Sequence, residues 1–280
     1  MSSMSSADLL AGRCVKLSDF VNLPILALPL VIVLLLLIIA IPLIVIYLFV
    51  RLTEEAFEQI GFDHYHATLA VFGSIIGSLI DIPLHAGPIS SYPGWYIKLA
   101  STFDPGFATA FHPFYLAINV GGAIVPLIIS AHLVLTHRVS ALKAGAGILV
   151  VAIITYYLAA PVAGEGIVLP FWVSPTLAAI CSIILSRGYD RAPSIAYISG
   201  SMGTLLGADI MNLLTPGVIP ALSPVGLQTT KPLILSIGGA GVFDGIFLTG
   251  ILAVLFAAGI VHFFHGSSEG ARLHRDANKF

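Results

Sequence analysis

The chain has 280 residues, 58% of them hydrophobic and only 9% charged, with a mean hydropathy of +1.01. Soluble domains carry about 25% charged residues, so this chain lacks the polar material to coat a water-exposed surface and is read as living in lipid. Its net charge of -2, from 12 Lys+Arg against 14 Asp+Glu, excludes the basic field that nucleic-acid binding requires.

A helix that crosses a bilayer needs about 20 mostly apolar residues, and that rule predicts an all-α polytopic bundle of seven spans. A tail of residues 1–23 precedes one transmembrane domain, 24–263, and a polar tail of 264–280 follows it. The first span, Pro24 to Val50, is Leu/Ile/Val-rich and meets Arg51 with no small-residue cleavage site, so it reads as a retained helix rather than a signal peptide. Spans two to six are Ala67 to Leu84, Phe114 to Thr136, Leu142 to Ala160, Ile167 to Leu185 and Ala192 to Leu214.

The run Lys231 to Phe263 is too long for one crossing and is interrupted by Gly238-Gly239-Ala240-Gly241. Glycine costs about 1 kcal/mol per helical position relative to alanine, so the seventh helix is predicted to start after this Gly-rich break, near Val242. The stretch Pro216 to Gly241 then becomes a loop or re-entrant segment.

Basic residues orient the bundle. One side holds Arg51, Arg138, Lys143, Arg187, Arg191, Arg272, Arg275 and Lys279, and the other only Arg13, Lys16, Lys98 and Lys231. The positive-inside rule places the C-terminus in the cytoplasm and the N-terminus outside a cell membrane. Cys14 and Cys181 read as inert, because a disulfide framework needs several cysteines in polar loops. There is no cofactor motif, and no His-x-x-x-His or Glu-x-x-His pair to hold a metal.

Ionisable side chains inside a span cost about 2.5–3.5 kcal/mol each on insertion scales, so Asp81, Asp209 and Asp244 demand an account. Alternating topology converts their positions into depth. Asp81 lies near the outer end of span two, Asn119 near the start of span three, Asp209 and Asn212 near the end of span six, and Asp244 in the first turn of span seven. All five fall in the same outer third of the membrane. Gly73, Gly77 and Asp81 share one face of span two, while Gly203/Gly207 and Gly241/Gly245 repeat the Gly-xxx-Gly pattern that lets helices approach closely, within the chain or between copies.

Three readings follow. In the leading one, Asp209, Asp244, Asn212, Asn119 and Asp81 line a polar cavity that takes a proton, cation or small solute, as transport sites do. In the second, Asp209 and Asp244 are the catalytic pair of an intramembrane protease, one protonated and the other activating water. In the third, all five are interhelical hydrogen-bonding groups of a non-catalytic scaffold.

The segments Gly203-Thr-Leu-Leu-Gly-Ala-Asp-Ile-Met-Asn-Leu213, Ser236-Ile-Gly-Gly-Ala-Gly-Val-Phe-Asp-Gly-Ile-Phe-Leu-Thr-Gly250, Gly77-Ser-Leu-Ile-Asp-Ile-Pro-Leu84 and Ala117-Ile-Asn-Val-Gly-Gly-Ala-Ile-Val-Pro126 closely resemble a prokaryotic membrane family, domain of unknown function 1614. The resemblance runs from about Val50 to Phe263 and implies an integral membrane protein, with no catalytic roles to carry over. The family pattern favours Asn before Ile-Pro, where this chain has Asp81, which leaves Asp209 and Asp244 as the stronger pair. A looser similarity joins Gly239-Ala-Gly-Val-Phe-Asp244 to the Gly-x-Gly-Asp of intramembrane aspartyl proteases, but two extra residues precede the acid and Pro220-Ala-Leu222 stands between the two acids instead of after both.

Overall fold

The computed structural model describes residues 27–85, 93–103, 114–136, 138–163, 165–186, 191–222, 233–239 and 245–277. The chain divides into two units, Met1–Arg51 and Leu52–Phe280. Helix α1 (Ala27–Gln59) begins in the first and ends in the second. Within the first unit α1 carries no charge before Arg51, and its side chains from Ile32 to Leu48 are almost all exposed, an apolar surface of the kind suited to lipid.

In the second unit the elements run α2 (His64–Gly77), β1 (Asp81–Pro83), α3 (Gly94–Phe103), β2 (Phe114–Asn119), a π-helix π1 (Val120–Ile124), α4 (Val125–Leu135), α5 (Ala141–Leu158), β3 (Ala160–Val162), β4 (Gly166–Val168), α6 (Val173–Ser186), α7 (Ala192–Thr204), a second π-helix π2 (Leu205–Met211), α8 (Val218–Leu222), β5 (Leu233–Ile237) and α9 (Gly245–Ala277). The chain is mostly helical, as expected. By length and composition three helical stretches can cross a membrane: Ile32–Gln59, Ala141–Leu158 and Gly245–Phe263. These cover predicted spans one, four and seven, and the described helix of the last begins after the Gly-rich break.

Predicted spans two, three and five differ in kind, and the all-α expectation fails there. Each contains a shorter helix joined to a strand: α2 is followed by β1, β2 precedes π1 and α4, and β4 precedes α6. The local sequence explains the switch. Pro83 disfavours a helical residue before it, and Phe114-Tyr-Leu-Ala-Ile is rich in aromatic and branched side chains that suit a pleated surface. The strands satisfy one another's backbone. β1 pairs antiparallel with β2 (Asp81↔Asn119), and β2 pairs parallel with β5 (Ala117↔Ser236). The segment expected to be a loop or re-entrant segment therefore contains the third strand of this sheet, as well as α8.

The core is built on small residues around α7. Every residue from Ala192 to Thr204 is buried, and α7 packs on α4, α5, α6 and α9. Val151, Ala178, Ala179, Ala196, Ala253 and Ala257 form a cluster almost wholly removed from the surface. In lipid, helices associate through close van der Waals packing, and alanine, serine and glycine permit it. Large apolar side chains such as Phe72, Leu127, Ile128, Leu149 and Ile184 face outward instead.

Two cations cap helices at the end of the unit where α1 meets α2. Lys143 Nζ donates to the Ser186 carbonyl at 3.2 Å, and Arg138 Nη1 to the Ile60 carbonyl at 3.5 Å, each at the C-terminal end of a helix where a cation is favoured. Gly61 closes α1 with φ +96°, with Gly61 N donating to Glu58 O and Phe62 N to Phe57 O, a Schellman cap. A Cβ on Gly61 would lie 1.6 Å from Arg138 Nη1. Gly61→Ala is expected to cost about 1–2 kcal/mol from the left-handed backbone alone. Gly73→Ala, in a helix interior with nothing within 4 Å, should leave stability unchanged or raise it. Apparent melting temperatures in detergent check both.

Candidate functional site

Asn119 stands where β2 turns into π1, and its side chain is 2% exposed. Its Nδ2 donates to the Ser78 carbonyl at 2.9 Å and to Asp81 Oδ1 at 3.1 Å, while its Oδ1 accepts from Gly122 N at 2.9 Å and so caps the π-helix. Asp81 Oδ1 also accepts from the Ser236 hydroxyl of β5. One amide thus ties α2, β1 and π1 together, and one carboxylate links β1 to β5. Close backbone approach makes this geometry possible. A Cβ on Gly121 would lie 2.2 Å from the Ser74 carbonyl, and Ser74 Oγ donates to the Gly121 carbonyl at 2.8 Å. Asn119→Leu keeps the volume but orphans the Ser78 carbonyl and the Gly122 N–H. Each buried loss costs about 1–3 kcal/mol, so unfolding in detergent should come at markedly lower temperature.

Two residues beyond Ser236, Gly238 turns with φ +80°, and its N–H donates to Asp209 Oδ2 at 2.7 Å. The short segment Ser236–Gly238 therefore holds Asp81 on one side and Asp209 on the other. Asp81, Asn119 and Asp209, read from three separate stretches of chain, meet around it.

Asp209 sits in π2. An α-helix turns about 100° per residue, which would put Asp209 and Asn212 within about 60° of each other on one face. The i→i+5 bonding of a π-helix turns less per residue and drives the two apart. Asn212 accordingly faces α5, donating to Gly207 O at 3.1 Å and Tyr156 O at 3.4 Å, and does not share a face with Asp209 as predicted. The same widening brings Asp209 toward the side of Thr204. Both line a cavity of about 490 Å³ together with Ser174, Thr249, Ser236, Gly238 and Glu165.

Apolar side chains including Ile167, Phe171, Leu213, Leu235, Ile246 and Leu248 complete the wall. Several buried helical hydroxyls among the described residues bond back to their own helix, as Thr155, Ser182, Ser199, Ser201 and Thr249 do. Ser174 and Thr204 depart from that habit. They are 1% and 6% exposed, and their hydroxyl oxygens have no hydrogen-bond partner among the described residues.

Other polar and aromatic residues, with Asp244 and Gly241, are placed as follows. Asp244 and Gly241 lie outside the described residues, as do His112 and Tyr92. His85 follows β1 and is exposed. Trp95 is exposed on α3, whereas Tyr96 is buried. His64 faces Glu58 at 3.5 Å and His66 pairs with Asp63, all on the surface. The His66 ring holds the Asp63 carboxyl below the ordinary carboxylate range.

Of the predicted glycine contacts, Gly77 meets the Gly121 backbone, and Gly203 and Gly207 meet Val151 and Ala152 of α5, so these faces are occupied within the chain. Gly73 and Gly245 face open space. Ser174, Thr204 and Ser236 escaped the sequence reading as site residues, and Gly238 entered it only as part of the helix break. Hydroxyls are common in membrane helices, and nothing local marked Ser236 as belonging to a strand.

The family model described as "Protein of unknown function (DUF1614)" matches residues 75–256, roughly two thirds of the chain. The chain belongs to this family. The DUF1614 match contains both π-helices, the whole three-stranded sheet and every residue named above as lining the cavity, and it leaves out α1. Searches of curated proteins and of solved structures return no match.

Proposed function

We propose that this DUF1614 protein is a multi-span transport protein of the cell membrane, in which Asp209 is the binding group of a polar cavity for a proton, cation or small solute. The observation that carries the reading is the placement of Asp209: an acid in the widened turn of the central helix, lining a cavity, with a neutral backbone N–H as its hydrogen-bond partner among the described residues. An acid in that setting is retained against its insertion cost when it meets a cation or proton in turn. Helices interrupted by strands or π-turns recur where membrane proteins bind solutes, because the irregular backbone is tolerated only against protein or a water-filled space.

On this reading seven segments cross the bilayer, three of them as helix-and-strand composites. The cavity opens on the side opposite the cytoplasmic basic residues. Asp81, Asn119 and Asn212 hold the frame, and Asp209 does the binding.

The experiment is flux into proteoliposomes loaded with pH- or cation-sensitive dye, comparing the wild type with Asp209→Asn. Wild-type flux that is lost in the variant supports the reading, and equal flux in both refutes it. A wild-type protein that instead cleaves a membrane-embedded peptide, and fails to do so as Asp209→Asn, would replace transport by intramembrane proteolysis. Full function of Asp209→Asn in a genetic assay would leave only the scaffold reading.

A further inference from the structure

We infer that the cavity takes an organic ammonium ion, a primary or secondary amine carrying an apolar body; this rests on the reading of Asp209 as a binding group and narrows its ligand. Charge sets the sign. The charged residues of the described wall are Asp209 and Glu165, with no Lys, Arg or His beside them. Glu165 is exposed, and Asp209 is partly withdrawn from the surface. One oxygen of Asp209, Oδ2, is engaged by Gly238 N–H, and the other makes no hydrogen bond among the described residues. An anionic ligand would meet only like charge here.

Hydrogen-bonding capacity sets the head group. Ser174 and Thr204 present buried hydroxyls with no partner among the described residues, an arrangement that costs free energy unless something outside the chain supplies one. An ammonium has two or three N–H donors to distribute between Asp209 Oδ1 and these two hydroxyl oxygens. The match is one carboxylate and two neutral acceptors, a set suited to a single positive charge.

Size and lining set the body. A cavity of about 490 Å³ falls within the roughly 300–1,000 Å³ range of pockets that hold organic ligands, whereas a water occupies only about 30 Å³. Much of its wall is apolar, from Ile167 and Phe171 on one side to Leu213, Leu235, Ile246 and Leu248 on the other. A hydrated inorganic cation would lose its shell against that wall with one carboxylate to replace it. An aryl or alkyl chain gains from the same surface.

The test uses the full-length protein in detergent, titrated calorimetrically against empty-micelle blanks with phenethylammonium, neutral 2-phenylethanol and anionic 3-phenylpropionate. Phenethylammonium should bind at least about tenfold more tightly than either control, since a charge-assisted hydrogen bond is worth about 1.5–3 kcal/mol. Asp209→Asn should weaken it by about 10–100-fold while changing 2-phenylethanol by less than about threefold.

Thr204→Val and Ser174→Ala keep the test decisive if the Asn variant misfolds. Removing a hydroxyl that has no internal partner should leave the melting temperature unchanged or higher, yet lower phenethylammonium affinity about fivefold. Equal affinity for the ammonium and the alcohol, or ammonium binding unaffected by Asp209→Asn, overturns the inference. Amine binding without any flux would refute transport and leave the inference standing. Asp209-dependent proton or inorganic-cation flux with no amine binding would do the reverse.

Discussion

Asp209→Asn is expected to lower solute flux by at least about 30–100-fold, the equivalent of about 2–3 kcal/mol of lost charge-assisted binding, while Asp81→Asn stays within about twofold of the wild type. The two acids lie close to one short stretch of β5 and its turn, and a sequence reading treats them alike. Their surroundings do not. Asp81 is exposed, and its Oδ1 accepts from Asn119 Nδ2 and from the Ser236 hydroxyl. An amide oxygen accepts from both just as well, so Asn at position 81 preserves the frame, in keeping with the family resemblance that favours Asn before Ile-Pro. Asp209 lines the cavity, and Asn there retains the bond from Gly238 N–H but removes the charge. Flux in proteoliposomes, normalised to monodisperse protein, separates the two. Equal losses in both variants would mean that the sheet cluster, and not the cavity, is the working site.

Gly207→Ala should be, with Gly121→Ala, among the most damaging single methyls in the described structure around the site. Its Cβ would lie 2.2 Å from the Ala152 carbonyl oxygen, 2.3 Å from Thr155 Oγ1 and 2.7 Å from Ala152 Cα. Two of these three atoms are backbone, so no rotamer change relieves the clash, and π2 must move away from α5 by about an ångström or more to reach ordinary contact. Overpacking of this kind costs about 3 kcal/mol or more, and here the displacement also drags Asp209 from Gly238. Asn212 would lose its bond to the Tyr156 carbonyl in the same shift. The expected result is a melting temperature lowered by at least about 5 °C, or no monodisperse protein. Gly145→Ala, on the same α5 but with nothing within 4 Å, should be harmless. A Gly207→Ala protein as stable as the wild type would show that α5 and π2 do not approach as closely as described.

The mostly helical build, three helices long and apolar enough to cross a membrane, and the close backbone approach at Gly77, Gly203 and Gly207 were legible in the residues. Each depends on a local property: apolar length, a break in propensity, or the absence of a side chain. Asp81, Asn119 and Asp209, expected at one depth, do meet around Ser236–Gly238. The strands were not legible. Phe114–Asn119 and Leu233–Ile237 are apolar runs that a helix accepts as readily as a sheet, and the choice rests on partners far along the chain.

What the residues alone decided is a mostly helical chain with helices long and apolar enough to cross a membrane, since both follow from hydropathy and apolar run length. Only the tertiary structure decided which polar groups line a cavity. That outcome turns on two widened helical turns and on a parallel pairing between distant strands. Both arise from backbone packing at Gly121, Gly207 and Gly238, where the missing side chain permits the contact but does not specify it.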